Sequence, residues 1–277
     1  MPSLSVVLFG DMQQQNEITQ NIIQVARSLQ PDLCIVLGDL VNDATDLAQW
    51  ERCNKLLAPL LAQCELHAIP GNHDYEQPGI ANHFAKHFAT PHALPYTAFS
   101  RCGNRFILLD TMLYDQTMER GLFTDDTPQY TWLEAELAKA QEQGEAAFVC
   151  GHHPIFMSPE LYFSTSPSIR VDTTRAAVEP SPLLHALLAG KARMYFSGHI
   201  HLYDHSRFKG LPCITSGATS YDFPEVSDGR NPYSELCVKK HHLCHLELAD
   251  GKLTFTALDQ FASAFDTWQE PLLPLPS

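Results

Sequence analysis

The chain has 277 residues, 44% of them hydrophobic and 18% charged, a balance ordinary for a globular protein and a length that suits one large α/β core. Its formal net charge of −14, from 18 basic and 32 acidic residues, argues against a long nucleic acid as partner, because such binding relies on Lys and Arg to neutralise phosphates. Its apolar runs, such as residues 4–9 and 33–37, fall far short of the ~20 residues of a membrane span, and the start Met1-Pro2-Ser3-Leu4 lacks the features of a secretory signal, so the expectation is a cytoplasmic protein with no membrane partner.

Leu4–Phe9 is an apolar run ended by Gly10, the pattern of a buried strand. Residues 17–29 set Ile18, Ile22, Val25, Ala26 and Leu29 on one helical face, and Pro31 follows the helix. A strand over 33–37, a helix through Trp50, Leu56 and Leu60 and a short strand over 66–69 complete a βαβαβ alternation, which implies a largely parallel sheet with helical crossovers. Residues 96–101 and 105–110 flank the turn Cys102-Gly103-Asn104 and read as a hairpin. A polar loop then runs to about Pro128 and leads into a helix through Trp132, Leu133 and Leu137. Short strands follow over 146–150 and 194–197, then hairpin-like strands over 205–209, 213–216, 242–248 and 253–258. The reading is an α/β domain over residues 1–268, with two sheets packed together and helices outside. An extended, proline-rich tail over 269–277 follows.

Five short segments each follow the carboxyl end of a predicted strand, the edge where open α/β sheets form ligand crevices. They are Gly10-Asp11-Met12-Gln13, Gly38-Asp39-Leu40-Val41-Asn42-Asp43, Gly71-Asn72-His73-Asp74, Gly151-His152-His153-Pro154 and Gly198-His199-Ile200-His201. Taken singly, Asp11 and Asp39 could be strand-end turn formers, Asn72 a left-handed turn residue, and His199 and His201 core histidines. Together they form an inventory of carboxylates, amides and imidazoles suited to two adjacent divalent cations. A metal pair ~3.5–4 Å apart clamps a phosphoryl group and activates water. The eight cysteines lack Cys-x-x-Cys spacing and read as reduced thiols.

At this point the five segments resemble the signature of the calcineurin-like metallophosphoesterase superfamily: Asp-x-His/Gln, Gly-Asp, Gly-Asn-His-Asp/Glu, a lone His after a strand, and Gly-His-x-His. The match runs from Asp11 to His201. The resemblance implies a four-layer αββα sandwich of two mixed β-sheets flanked by helices. It further implies that Asp11, Gln13 and His201 hold a first metal, that Asp39 bridges two ions, and that Asn72, His152 and His199 complete the second. His73 would be the general acid, or a donor that stabilises the leaving oxygen, as a water shared by the metals attacks phosphorus in line. Only a carboxylate such as Asp39 offers a bridging ligand with both charge and two oxygens. His199 and His201, if extended, would point to opposite sides.

Two departures refine the resemblance. Gln13 stands where many members have His, and its hard amide oxygen favours Mn²⁺ first, with Fe and Mg next and Zn²⁺ less suited. Asp-x-Gln is similar to a subset that includes Mn²⁺-dependent ADP-ribose/CDP-alcohol diphosphatases and some protein phosphatases. Asn42 stands where purple acid phosphatases have a tyrosine ligand, which argues against that branch. Other members have an Asp there that supports the catalytic His, a role open to Asp43 or Asp74. The expected activity is hydrolysis of a small phosphorylated substrate: a phosphodiester, a nucleoside diphosphate derivative or a phosphomonoester. A phosphoprotein phosphatase and a non-catalytic scaffold that binds a protein partner are the alternatives.

Several other residues are less pointed. His153 reads as structural, although it could exchange roles with His152. His83 and His87 have helical i, i+4 spacing, and Cys237, His241, His242, Cys244 and His245 resemble a zinc knot. The bland reading, polar faces of a helix and a strand, is preferred for both. Arg170 and Arg175 could grip a phosphate, and Tyr114, Phe123, Tyr162 and Phe163 could stack on a ring.

Overall fold

The computed structural model describes residues 3–88, 96–113, 123–156, 181–220, 222–223 and 231–272. Three parallel strands open the chain: β1 (Leu4–Phe9), β2 (Leu33–Val36) and β3 (Glu65–Ala68). They are linked by α1 (Glu17–Ser28) and α2 (Leu47–Leu61). Side chains alternate across β1. Val6 and Leu8 face the opposing sheet with Phe106 and Phe148, whereas Val7 and Phe9 pack on Ile22, Ala26 and Trp50 of the two helices. Asn16 caps α1 by accepting from Thr19 N, and Asp46 caps α2 by accepting from Ala48 N.

A short α3 (Asn82–His87) precedes the hairpin β4 (Thr97–Arg101) and β5 (Asn104–Leu108). Then come α4 (Pro128–Gln143), β6 (Ala146–Cys150), α5 (Pro182–Ala189) and β7 (Met194–Ser197). The terminal part consists of β8 (Tyr203–Phe208), β9 (Leu211–Ser216), β10 (Ser234–Val238), β11 (His242–Ala249), β12 (Lys252–Asp259) and β13 (Ala264–Pro271). One sheet has six strands in the order β13-β12-β11-β1-β2-β3, and the other has seven in the order β10-β8-β9-β7-β6-β5-β4. Each mixes parallel and antiparallel pairs. An apolar core joins the sheets, a second lies under α1 and α2, and a third joins the seven-stranded sheet to α4 and α5 through Leu133, Leu137, Leu184 and Tyr195. The result is the expected four-layer αββα sandwich.

Strands β10 and β13 are absent from the elements that the sequence pattern predicts. Exposed and half-buried residues dominate both strands, so the apolar signal is weak. The proposed tail is corrected at its start: Gln269, Glu270 and Pro271 belong to β13, and Glu270 accepts a hydrogen bond from Arg193 at 2.5 Å. Among the described residues, no helix is long and apolar enough to cross a membrane.

Candidate metal centre

All five motifs converge at the carboxyl ends of the central strands, contributed by both sheets. Asp11 follows β1, Asp39 follows β2, and Asn72 opens a 3₁₀ turn, Asn72–Asp74, beyond β3. Opposite them, His152 follows β6 and His199 follows β7. Ligand atoms of Asp11, Asp39 and His152 lie within 4.8 Å of one another, and all three side chains are buried. Asn72 Oδ1 lies 3.1 Å from His152 Nε2 and 3.0 Å from His199 Nδ1. Asp39 Oδ1 is 3.5 Å from His152 Nε2, and Asp11 Oδ1 is 3.5 Å from His201 Nε2. Gln13 is buried, and neither of its amide atoms has a hydrogen-bond partner among the described residues. An unpaired buried amide is costly unless something else binds it.

The backbone is bent to make this approach. Asp11, Asp39 and His199 all have left-handed φ, at 60°, 53° and 67°, a conformation that costs a non-glycine residue roughly 1–2 kcal/mol. Seven other non-glycine residues among those described share this conformation, but Asp11, Asp39 and His199 are buried candidate ligands, where such strain is associated with function. It also corrects the expected geometry of Gly198-His199-Ile200-His201. The segment is not extended; Ile200 N donates to Gly198 O and Leu202 N to Ile200 O, two tight turns in succession. Glycine permits the closest packing: a Cβ on Gly71 would lie 2.5 Å from Asp39 N and 2.7 Å from His152 Cε1.

The electrostatics fit a cation. Burial raises the Asp11 carboxyl above its ordinary range, opposed by His201 and His152. Burial works in the same direction on Asp39, yet His152 and His73 hold it well below that range. Burial would lower His152, but Asp39 outweighs it and the ring is pushed up to about 9. Burial and the neighbouring His152 push His199 down to about 3, so this imidazole is neutral and has a lone pair to offer. Two buried carboxylates, amide oxygens and a neutral imidazole are the donor set that a hard or borderline divalent ion takes.

His73 stands beside this group. Its backbone N–H donates to Asp39 Oδ1 at 2.9 Å, and its Nδ1 lies 2.8 Å from Asn42 O. A carbonyl only accepts, so Nδ1 carries the proton and Nε2 is the free position. The support for this ring is therefore the main chain of Asn42. Asp43 instead bonds Thr45, and Asp74 accepts from the N–H groups of Leu40, Val41 and Gly71. Asp74 thus ties the loop after β2 to the turn after β3. Burial and repulsion from Asp39 push its carboxyl up to about 8.

The remaining candidates are held by other partners, although the His153 ring packs 4.4 Å, centroid to centroid, from that of His199. His153 Nδ1 is 2.7 Å from Thr111 Oγ1, a structural partner. His87 stacks on Trp50 and pairs with Asn54, whereas His83 lies 3.8 Å from Glu76. Cys237 lies on β10 and Cys244 on β11, in different sheets. His242 bonds Lys240 O, and His245 bonds Ser5. Phe123 packs on Tyr130; Tyr114, Tyr162, Phe163, Arg170 and Arg175 lie outside the described residues. Sequence reasoning missed Thr219 and Ser220, which bond Gly10 O and Asp11 O. Their only signal is their place just past a strand end.

Fold and site together define a phosphoesterase scaffold: the family model for calcineurin-like phosphoesterases matches residues 4–203, and the chain belongs to that family. It is 27% identical to purple acid phosphatase 22 of Arabidopsis thaliana over 207 residues, 73% of this chain and 44% of that protein. Its fold is similar to that of purple acid phosphatase PPD1 from yellow lupin seeds, with TM-score 0.78 at 16% identity, covering 97% of this chain and 53% of that one. It is also similar to GAP50, the anchor in the inner membrane complex of Plasmodium, with TM-score 0.71 at 15% identity, covering 99% and 90%. The chain spans about half the length of the purple acid phosphatases it matches. This similarity coexists with Asn42 at the position where that branch is expected to carry a tyrosine ligand.

Proposed function

We propose that the chain is a dinuclear-metal phosphoesterase that hydrolyses a small phosphorylated substrate. The observation that carries this reading is the meeting of Asn72 Oδ1, His152 Nε2 and His199 Nδ1 near Asp39, with Asp11 in the same cluster and His201 3.5 Å from Asp11. Asp11, Gln13 and His201 would hold one ion and Asn72, His152 and His199 the other, with Asp39 shared. Manganese suits the two amide ligands best; iron, magnesium and zinc are the other candidates. Such a pair would neutralise phosphoryl oxygens and acidify water for in-line attack on phosphorus.

The chain's own residues supply the rest. Asp11 and Asp39 offset the repulsion between two cations at short range. Gly71 and Gly198 let backbone come up against the carboxylates without a side chain in the way. His73, whose Nδ1–H is fixed by Asn42 O, would donate from Nε2 to the leaving oxygen in its doubly protonated form and return to the neutral Nδ1–H ring. The Asp-x-Gln pattern tilts the substrate toward nucleoside diphosphate derivatives, with phosphodiesters and phosphomonoesters next. The eight cysteines, which lack Cys-x-x-Cys spacing, support a reducing, cytoplasmic setting, and the acidic balance supports a small substrate over long nucleic acid.

Similarity to a structure described as an anchor favours, as a second reading, a scaffold that binds a protein partner. The complete ligand set weighs against it. The test is metal analysis of the purified protein, then assay of aryl phosphates, ADP-ribose, CDP-choline, cyclic nucleotides and phosphopeptides with added Mn²⁺. Hydrolysis that Asp39→Asn lowers at least a thousandfold supports the enzyme. No hydrolysis at any metal loading, with Asp39→Asn indistinguishable from wild type, supports the scaffold.

A further inference from the structure

The candidate centre is divided between two sheets, so its geometry depends on how firmly the halves are registered. Asn72 comes from the six-stranded sheet, and His152 and His199 come from the seven-stranded one. Their three donor atoms meet at 3.0–3.1 Å, so a slip of one sheet past the other would part them. The shared core between the sheets is apolar, and apolar contact is non-directional. Directional contacts close to the site add to it: His152 Nδ1 lies 2.8 Å from Leu37 O, and His199 N donates to Asp11 Oδ1 at 3.0 Å.

Another is built from residues outside the expected ligand set. Tyr75, three residues after Asn72, donates its hydroxyl proton to Asp110 Oδ2 on the far side of the sandwich, just beyond β5. Asp110 is itself immobilised. Its Oδ1 accepts from Met112 N at 2.9 Å. Its backbone N–H donates to Gln129 Oε1 at 2.8 Å, and its carbonyl accepts from Gln129 Nε2 at 2.8 Å. Tyr75, Asp110 and Gln129 are all buried, and among the described residues Asp110 forms no ion pair. A buried carboxylate without a counter-ion is an expensive device where apolar residues would pack as well, which points to a need for its direction.

The next residue extends the chain of contacts. Thr111 Oγ1 accepts from His153 N at 3.3 Å and lies 2.7 Å from His153 Nδ1. Tyr195 donates its hydroxyl to His153 O at 2.7 Å. The His153 ring then packs 4.4 Å, centroid to centroid, from that of His199. A continuous path runs from the Asn72 turn through Tyr75, Asp110, Thr111 and His153 to His199. We propose that Asp110 is a positioning residue, which through Tyr75 on one side and Thr111 on the other registers Asn72 against His152 and His199 and so sets affinity for the second ion. The proposal rests on the two-ion reading above.

The test is calorimetric titration of the metal-free full chain with Mn²⁺, beside its thermal melting, for wild type, Tyr75→Phe, Asp110→Asn and the double variant. Gln13→Ala, which touches the other ligand group, is the reference. The expected result is at least a tenfold loss for one ion in Tyr75→Phe, while the ion weakened by Gln13→Ala keeps its affinity. The double variant should lose no more than the worse single one, because the two groups act as one contact. Should Asp110→Asn fail to fold, Tyr75→Phe, which removes a single hydroxyl, decides alone. The proposal is overturned if Tyr75→Phe binds both ions as wild type does, or if both ions weaken equally in step with a lower melting temperature. A wild type that takes up no Mn²⁺ removes the two-ion reading itself and this proposal with it. Two bound ions indifferent to Tyr75 remove the proposal alone.

Discussion

Gly71→Ala isolates the geometric requirement of the site from its chemistry. Gly71 has φ −104° and ψ −179°, a conformation open to any residue, so alanine brings no backbone strain there. All of its effect comes through the new Cβ, which would meet Asp39 N at 2.5 Å and His152 Cε1 at 2.7 Å, with Asp39 Oδ1 nearer still. Comfortable contact needs about 3.5 Å, so the Asp39 loop and the Gly71 turn must part by about 1 Å. A misplacement of that size costs roughly a hundredfold in rate, or about 2.7 kcal/mol of barrier. The assay compares kcat/KM and Mn²⁺ stoichiometry with those of Gly79→Ala. Gly79 has φ +73° and nothing within 4 Å of an added Cβ, so that variant carries the opposite burden: backbone strain without a clash. Gly71→Ala should lose about two decades of activity and bind Mn²⁺ more weakly, whereas Gly79→Ala should lose only stability, by roughly 1 kcal/mol. A folded Gly71→Ala with activity within threefold of wild type would refute the assignment of Asp39 and His152 to one centre.

Two further outcomes follow from individual groups. His73→Asn should keep both Mn²⁺ ions while kcat falls 10²- to 10⁴-fold for poor leaving groups, and the loss should shrink for 4-nitrophenyl substrates; equal losses for both would exclude proton donation by His73. Burial pushes the Asp110 carboxyl up to about 7, opposed by the Tyr75 hydroxyl, against ~3.9 in an unfolded chain. The folded state therefore holds an extra proton between about pH 4 and pH 7, and metal-free stability should fall as pH rises through that window, by up to roughly 4 kcal/mol from this group. Urea denaturation across pH checks this: Asp110→Asn should flatten that part of the slope, and an unchanged slope contradicts the burial argument.

Much of the centre was legible because its ligands lie in short motifs fixed to strand ends. A Gly-Asp or Gly-His-x-His leaves its trace within a few residues, whatever the rest of the chain does. The supports did not, since Tyr75 and Asp110 are 35 positions apart and Asp11 and Ser220 are 209 apart. No local pattern links such pairs. The left-handed turn at His199 was hidden for a related reason, because alternation predicts a strand wherever tertiary hydrogen bonds have not yet been counted. The fully buried strands β2, β6 and β7 were visible as apolar runs. Strand β13 was not, since its half-buried positions mix Phe265 and Trp268 with Asp266 and Glu270 and give no regular apolar alternation. Strand order, with β9 beside β7 and β8 outside it, depends on long-range pairing that composition does not encode.

Crystals soaked in Mn²⁺ and measured at the manganese absorption edge provide the most direct examination. Two anomalous peaks are expected about 3.5–4 Å apart on either side of the Asp39 carboxylate, one ringed by Asp11, Gln13 and His201 and the other by Asn72, His152 and His199. A single peak, or none between those side chains at saturating metal, would contradict a two-ion centre.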